Sequence, residues 1–436
     1  MKALIRKYLS WTLLPVLALS LLPLCVGCRS FVRGGEERPA SSRAPEKQAD
    51  LTDPELEDLL LLSEALLLVR RSYVREVSYR ELIYAAVDGM VKRLDRNSAF
   101  LPPDSLQALE ESTTGHFSGI GLSVGSDPSG IKVLSPVKGG PAEEAGVRSG
   151  DLITGINGEP LKGLPLKDAI RKIRGKKGEA LELSIERPSG ERVQVPLSRR
   201  EVKLSAVKGV GMAAPEIGYL RISKFTASVP DDFAEALKGL KGRGARALII
   251  DLRGNPGGLL RSAVSVAGQL LPRNALIVSV RGRQRDGTPE RYTSGMDFGK
   301  ESRFPLVLLV NRTSASASEI LAGALKAHRR ALLVGERTFG KASVQNILHF
   351  ALRKECALKL TTAHYLTPDG RQIDGRGVDP DIEIPLSPSE WRRVQVESRY
   401  REMADTAPSF TLPTLYDPQL ERAKQVLKKT LESEKN

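Results

Sequence analysis

Two short apolar runs constrain the fold of this 436-residue chain more than any other feature. They lie in "ALIIDLR", Ala247 to Arg253, and "PLVLLVN", Pro305 to Asn311. Each holds consecutive aliphatic residues with no polar position between them, the pattern of a strand covered on both faces. Each leads into a glycine- or serine-rich turn, with a helix to follow. Repetition of strand, turn and helix predicts an α/β core from about residue 201. "ALLVGE", "ALKLTTAHYL" and "DIEIPL" add strands to it. Hydrophobic residues make up 41% of the chain and aromatics only 5%, so the core has to be aliphatic.

Upstream of that core the character changes several times, in keeping with the two or three domains expected at this length. "MKALIRKY" is basic, the stretch that follows is apolar, and "CRSFVRGGEERPASSRAPEKQAD" is polar. That order predicts an export signal over 1–28 and a flexible linker over 29–52. "LCVGC" resembles a lipoprotein cleavage site, with Cys28 lipidated. An uncleaved anchor and ordinary cleavage are the alternatives; all three imply export, to the periplasm or cell envelope, and a lipidated Cys28 or an anchor would add association with the membrane through the N-terminus. A helical region is expected over 53–112, where "DPELEDLLLLSEALLLVRRSYV" and "YRELIYAAVDGMVKRL" are amphipathic, and "DSLQALEEST" is a short helix capped by Asp104 or Ser105. Residues 113–200 alternate in short strands with glycine turns. The α/β core is expected over 201–386. The last segment, 387–436, returns to helix in "PQLERAKQVLKKTLES". The two terminal helical regions read as arms able to form a homodimer or to pack on their own core.

The net charge of +14 is scattered, and no basic run carries stacking aromatics, so nucleic acid is not an expected partner. With two of the three cysteines in the leader, Cys356 stands alone and no disulfide framework exists. No metal-binding spacing and no phosphate or dinucleotide loop occurs in a credible context, so no cofactor is called for.

The chemistry concentrates in "SASASE", Ser314 to Glu319, between the second apolar run and a helix start. A serine so placed has the N–H groups of the first helical turn beside it. It needs a base. The four histidines, His116, His328, His349 and His364, sit in no triad motif, which leaves a Ser–His esterase without support. "ERTFGKASVQ" offers Lys341 in a glycine turn, with Gln345 four residues on and on the same face if a strand starts there. A lysine is a base only if desolvation lowers its pKa.

"SGIGL", Ser118 to Leu122, with "SPVKGGPAEEAGVRSGDLITGINGEPL", resembles a PDZ domain. The resemblance implies a reader of C-terminal peptides. Gly119, Ile120, Gly121 and Leu122 would form the carboxylate loop and edge strand, Ile170 would line the groove, and Arg174 would sit at its end. "NRTSASASEILAGAL", "GERTFGKASVQ" and "DLRGNPGG" together resemble the C-terminal processing peptidases, or tail-specific proteases, from about Leu56 to Leu386. That resemblance implies Ser316 as nucleophile, Lys341 as base and Gln345 as third member. It implies Gly257 or Gly258, with Ala317, as oxyanion donors, and Glu319 and Arg253 as organisers of the site. Arg312-Thr313, Ala342 and His364 depart from the family pattern without touching those residues. The implied fold is a crotonase-like spiral α/β core with an inserted PDZ domain and helical N- and C-terminal arms. The implied substrates are proteins or peptides with free, apolar C-termini. A non-catalytic PDZ scaffold on the same fold is the alternative.

Overall fold

The computed structural model describes residues 52–283, 288–295, 304–404 and 416–434. The expected export signal with Cys28, and all of the linker but Thr52, lie outside the described residues. The chain divides into two compact units, Met1–Ser72 and Tyr73–Asn436. The described part of the first is a helix, Asp53–Ser72, with Asp53 and Glu55 in its first turn and Arg70 and Arg71 in its last. That charge order suits the helix dipole. Its leucines are exposed, Leu59 to Leu62 among them, except for the half-buried Leu66.

The second unit is built on a six-stranded sheet. Val207–Ala214 pairs antiparallel with Ile217–Ile222. From there Ala247–Asp251, Leu306–Val310, Leu332–Gly335 and Ile382–Glu383 add in parallel. The two apolar runs are therefore adjacent central strands, Leu248 opposite Leu306. Period-two alternation sends Leu248, Ile250, Leu306, Leu308 and Val310 into one cluster, with the helices Val229–Gly242, Leu260–Gly268 and Ala317–Ala327. Ala247, Ile249, Val307 and Leu309 enter another on the opposite face. Covering of both faces is why these strands carry no polar alternation.

The second face is covered by the C-terminal helix Pro418–Ser433, through Leu420, Ala423, Leu427 and Leu431. The sequence left this segment as an arm or a packed layer, and it is a layer. Its stripe of apolar residues at helical spacing meets the exposed side of the sheet. The N-cap is Asp417, whose carboxylate accepts from the N–H groups of Gln419 and Leu420, and Pro418 opens the first turn. The short helix after "FLPP" begins at Pro103 rather than after Asp104 or Ser105, with no side-chain cap, because a proline is preformed for the first helical position.

A second sheet joins Ala99–Leu101, Ala357–Leu366, Leu276–Gly282 and Glu290–Thr293, with Ser343–His349 also on Ala357–Leu366. The expected PDZ region is a sheet of its own, Leu122–Asp127 through Arg192–Ser198, with its own aliphatic core around Ile131, Ile153 and Leu183. Among the described residues Leu122–Asp127 pairs only with Gly130–Pro136, so its other edge is open there.

Candidate active site

Neighbouring parallel strands discharge their loops side by side, which is where ligands bind in sheets of this type. Asp251 and Val310 end such strands, so "LRGNPGG" and "NRTSASASE" emerge together. Two asparagines join them. Asn255 takes the N–H of Gly257 on its side-chain oxygen, at 2.8 Å, and the N–H of Ala315 on its backbone oxygen, at 3.0 Å. Asn311 takes the N–H of Gly254 at 3.1 Å. The sequence reading missed both. The signal was an Asn beside a glycine or a strand end, where an amide side chain bonds local backbone.

The three serines separate cleanly. Ser314 is buried, and its hydroxyl donates to Leu252 O at 2.8 Å and accepts the N–H of Asn311. Ser318 is buried and donates to Asn255 O at 3.1 Å. Ser316 is only half-buried, at φ 56° and ψ −114°, a conformation that a non-glycine residue holds only under constraint. It stands at the start of the helix Ala317–Ala327, and neither a backbone nor a side-chain group of the described residues takes the N–H of Ala317.

The two glycines also separate. The N–H of Gly257 is already held by Asn255. Gly258 forms a parallel bridge with Phe225, in which Phe225 donates to Gly257 O and accepts from Leu259. In that pattern the N–H of Gly258 points away from Phe225, and it has no partner among the described residues. Neither position tolerates a side chain. A Cβ on Gly257 would lie 2.8 Å from Ser316 Cβ, and one on Gly258 would lie 2.1 Å from Phe225 O. At φ 103° and 145° both also need glycine's backbone freedom.

Glu319, one helical turn on from Ser316, is fully buried. Its carboxylate accepts four hydrogen bonds: from the N–H of Ser316 and of Lys341 on Oε2, and from the Thr338 hydroxyl and the N–H of Gly340 on Oε1. Burial pushes its pKa up and those four donors oppose the shift. Through this one side chain the lysine turn is drawn to the serine turn. Burial lowers the pKa of Lys341, helped by the positive charges of Lys359 and Arg96 and opposed by Asp95 and Glu319. Among the described residues no hydrogen bond joins Lys341 Nζ to Ser316 Oγ. A cleft beside them is lined by Arg96, Asn97, Pro256, Thr313, Ala315, Phe339 and Lys341.

Gln345 lies on the strand Ser343–His349, whereas Lys341 precedes it, and a bulge falls between Val344 and Gln345. The simple four-residue alternation that put both on one strand face therefore does not apply. The Gln345 amide nitrogen donates to Ser343 Oγ and Thr361 Oγ1, at 3.0 and 3.2 Å. The histidines are elsewhere: His328 contacts Leu276 O, and His364 faces solvent from the strand on which its neighbour Tyr365 faces inward. Arg253 is fully buried. It pairs with Asp251 and Asp417 and contacts Gln419, so it ties the loop that carries Gly257 and Gly258 to the C-terminal helix.

Gly119, Ile120, Gly121, Leu122, Ile170 and Arg174 come together along one groove. The helix Pro103–Thr114 adds Ala108, Glu111 and Ser112 to its wall, and Arg174 Nη1 pairs with Glu111 Oε2 at 2.8 Å.

Comparison with known proteins agrees with this architecture. The model of peptidase family S41 matches residues 216–384, and a PDZ domain model matches 132–187. The carboxy-terminal-processing protease of Bartonella bacilliformis is 38% identical over 335 residues, covering 75% of each chain. The carboxyl-terminal-processing protease of Synechocystis is 37% identical over 329 residues, 73% of this chain and 75% of that protein. Among solved structures, a photosystem II D1 C-terminal processing protease is 32% identical and covers 77% of this chain and 94% of its own, at a TM-score of 0.43. With more than a third of residues shared over three quarters of both chains, this protein belongs to peptidase family S41, as a serine-type carboxy-terminal-processing protease that carries a PDZ domain.

Proposed function

We propose that Ser316 attacks the scissile carbonyl with Lys341 as its general base, and that the PDZ groove delivers substrates by their free C-termini. The neutral amine of Lys341 takes the Ser316 proton as the Oγ–carbon bond forms. The oxyanion develops toward the N–H groups of Gly258 and Ala317, which have no partner among the described residues. The resulting ammonium then protonates the leaving amine; in the second step Lys341 accepts a proton from the attacking water and returns it to Ser316 Oγ as the acyl–oxygen bond breaks. Gln345 uses its amide nitrogen on Ser343 and Thr361. Its amide oxygen has no partner among the described residues and is suited to accept from Lys341 Nζ. The observation that carries the reading is the inequality of the serines: two are fully buried and donate to backbone, and the third is half-buried in a strained turn at a helix start. The open edge of Leu122–Asp127 beside an aliphatic groove supports strand addition by a peptide tail. Export and membrane attachment through the N-terminal segment, with envelope proteins as substrates, belong to the same proposal and rest on the order of basic, apolar and polar residues over 1–52.

The test is substitution in purified protein. Ser316→Ala and Lys341→Arg should each lower turnover by several orders of magnitude, the loss seen when a nucleophile or its base is removed. Ser318→Ala should retain activity at a stability cost of about 1 kcal/mol, one lost hydrogen bond. Full activity in Ser316→Ala would end the assignment.

A further inference from the structure

We infer that Glu319 and Tyr365 are paired positioning residues that fix the separation of nucleophile and base by gripping both backbones from two sides, an inference that rests on the Ser316–Lys341 reading above. The grip is nearly complete. Glu319 Oε2 takes the N–H of Ser316 at 2.8 Å and the N–H of Lys341 at 2.9 Å. The Tyr365 hydroxyl faces the carbonyl of Ser316 at 3.0 Å and that of Lys341 at 2.8 Å, its one proton shared in a three-centre bond. The amide hydrogen and the carbonyl of both residues thus meet the same two side chains.

The grip answers a need. Ser316 holds a positive φ outside the regions open to ordinary residues, and Lys341 lies before its strand begins. Neither has regular structure of its own to fix it. The two gripping residues do. Glu319 stands in the helix Ala317–Ala327 and is fully buried. Tyr365 stands in the strand Ala357–Leu366, 1% exposed, its ring in the main aliphatic core. Residues locked by packing hold a site more tightly than loops can. The chemistry of each group fits its task. An ionised carboxylate only accepts, and all four groups around Glu319 donate. A hydroxyl is the smallest donor able to reach two carbonyls. The strand also binds the turn directly, with Tyr365 N–H donating to Ala342 O at 2.9 Å.

Tyr365→Phe keeps the ring and removes the grip on the carbonyls. Its kcat should fall on the order of 10- to 100-fold with KM little changed, the loss expected when reacting groups move by about an ångström. Glu319→Gln should do the same, because its NH₂ group must face N–H donors. The charged groups around Lys341 are Asp95 and Arg96 from the loop after the helix Tyr79–Lys92, Lys359 from the strand Ala357–Leu366, and Glu319. Asp374 holds the neighbouring N–H of Ala342. With those charges unchanged in Tyr365→Phe, a loosened lysine turn admits water to the amine, and the rise of kcat with pH should move to higher pH. A purely structural tyrosine would lower the unfolding midpoint and leave kcat per folded molecule and the pH profile where they were. That result would overturn the inference. Ser316→Ala and Lys341→Arg are assayed alongside. If both are inactive while Tyr365→Phe behaves as wild type, only the grip fails; if either is active, the Ser–Lys reading itself fails.

Discussion

At the scale of single residues, the site depends on which polar groups are already bonded and which are not. Ser314, Ser318 and the N–H of Gly257 are bonded within the fold. Ser316 stays half-buried, and the N–H groups of Gly258 and Ala317 have no partner among the described residues. Lys341 is the group whose state depends on pH. Its pKa is held below the ordinary lysine value, first by burial and then by Lys359 and Arg96. In the proposed mechanism the neutral amine is the active form. Activity should therefore be fully present above the depressed pKa and be lost as pH falls through it, with the midpoint below the free-lysine value of about 10.4. A rate profile measured with a short peptide checks this. A pH-independent rate across the whole neutral and alkaline range would contradict lysine as base. Lys359→Gln removes one positive neighbour, so its midpoint should move upward, toward that of free lysine.

At the scale of elements, the loop that carries Gly257 and Gly258 is anchored at its root by a buried ion cluster. Arg253 bonds Asp251 on the central strand and Asp417 at the cap of the C-terminal helix, with all three side chains within a few per cent of full burial. Tyr219 adds its hydroxyl to Asp251 at 2.9 Å. Removing Asp417 leaves Arg253 paired with Asp251 but takes away two of the bonds its buried guanidinium makes, at a cost on the order of 1–3 kcal/mol. Asp417→Ala also removes the helix cap. We expect it to lower the denaturant midpoint strongly and to loosen the C-terminal helix, seen as faster amide exchange between Leu420 and Leu431. Exchange rates unchanged in that helix would show that the cluster does not hold it.

At the scale of the whole molecule, the proposed reading gives the second unit two functions: a groove for a peptide tail and a site for cleavage. The groove is partly occupied from within, since Glu111 of the helix Pro103–Thr114 pairs with Arg174 at its end. A substrate carboxylate would compete for that guanidinium. Amidating the C-terminus of a good peptide substrate should slow its cleavage about tenfold, the rate equivalent of ~1.4 kcal/mol. Glu111→Gln should strengthen binding of a free-carboxylate peptide and leave an amidated one unaffected, measured by fluorescence titration. Equal cleavage of acid and amide peptides would remove tail reading from the proposal and leave the Ser–Lys chemistry in place.

The sequence by itself determined the layered α/β core, because strands apolar at every position have no other stable environment. It determined the family and the PDZ domain, because "SASASE", "FGK" and "DLRGNPGG" are local strings whose order survives without coordinates. It also carried the amphipathic stripe of the C-terminal helix, but not what that stripe covers. Only the tertiary structure decided that it closes the second face of the core sheet. It also distinguished Gly258 from Gly257, because two neighbouring glycines look alike until a bridge to Phe225 and a bond to Asn255 are formed. The bulge after Val344 was beyond reach as well, so a face assigned by counting residues did not carry from Lys341 to Gln345. Tyr365 was overlooked beside His364 for the same reason. Its alternation on the strand was visible, but its partners, Ser316 and Lys341, are 49 and 24 residues away, and contacts at that separation come from packing rather than from local pattern.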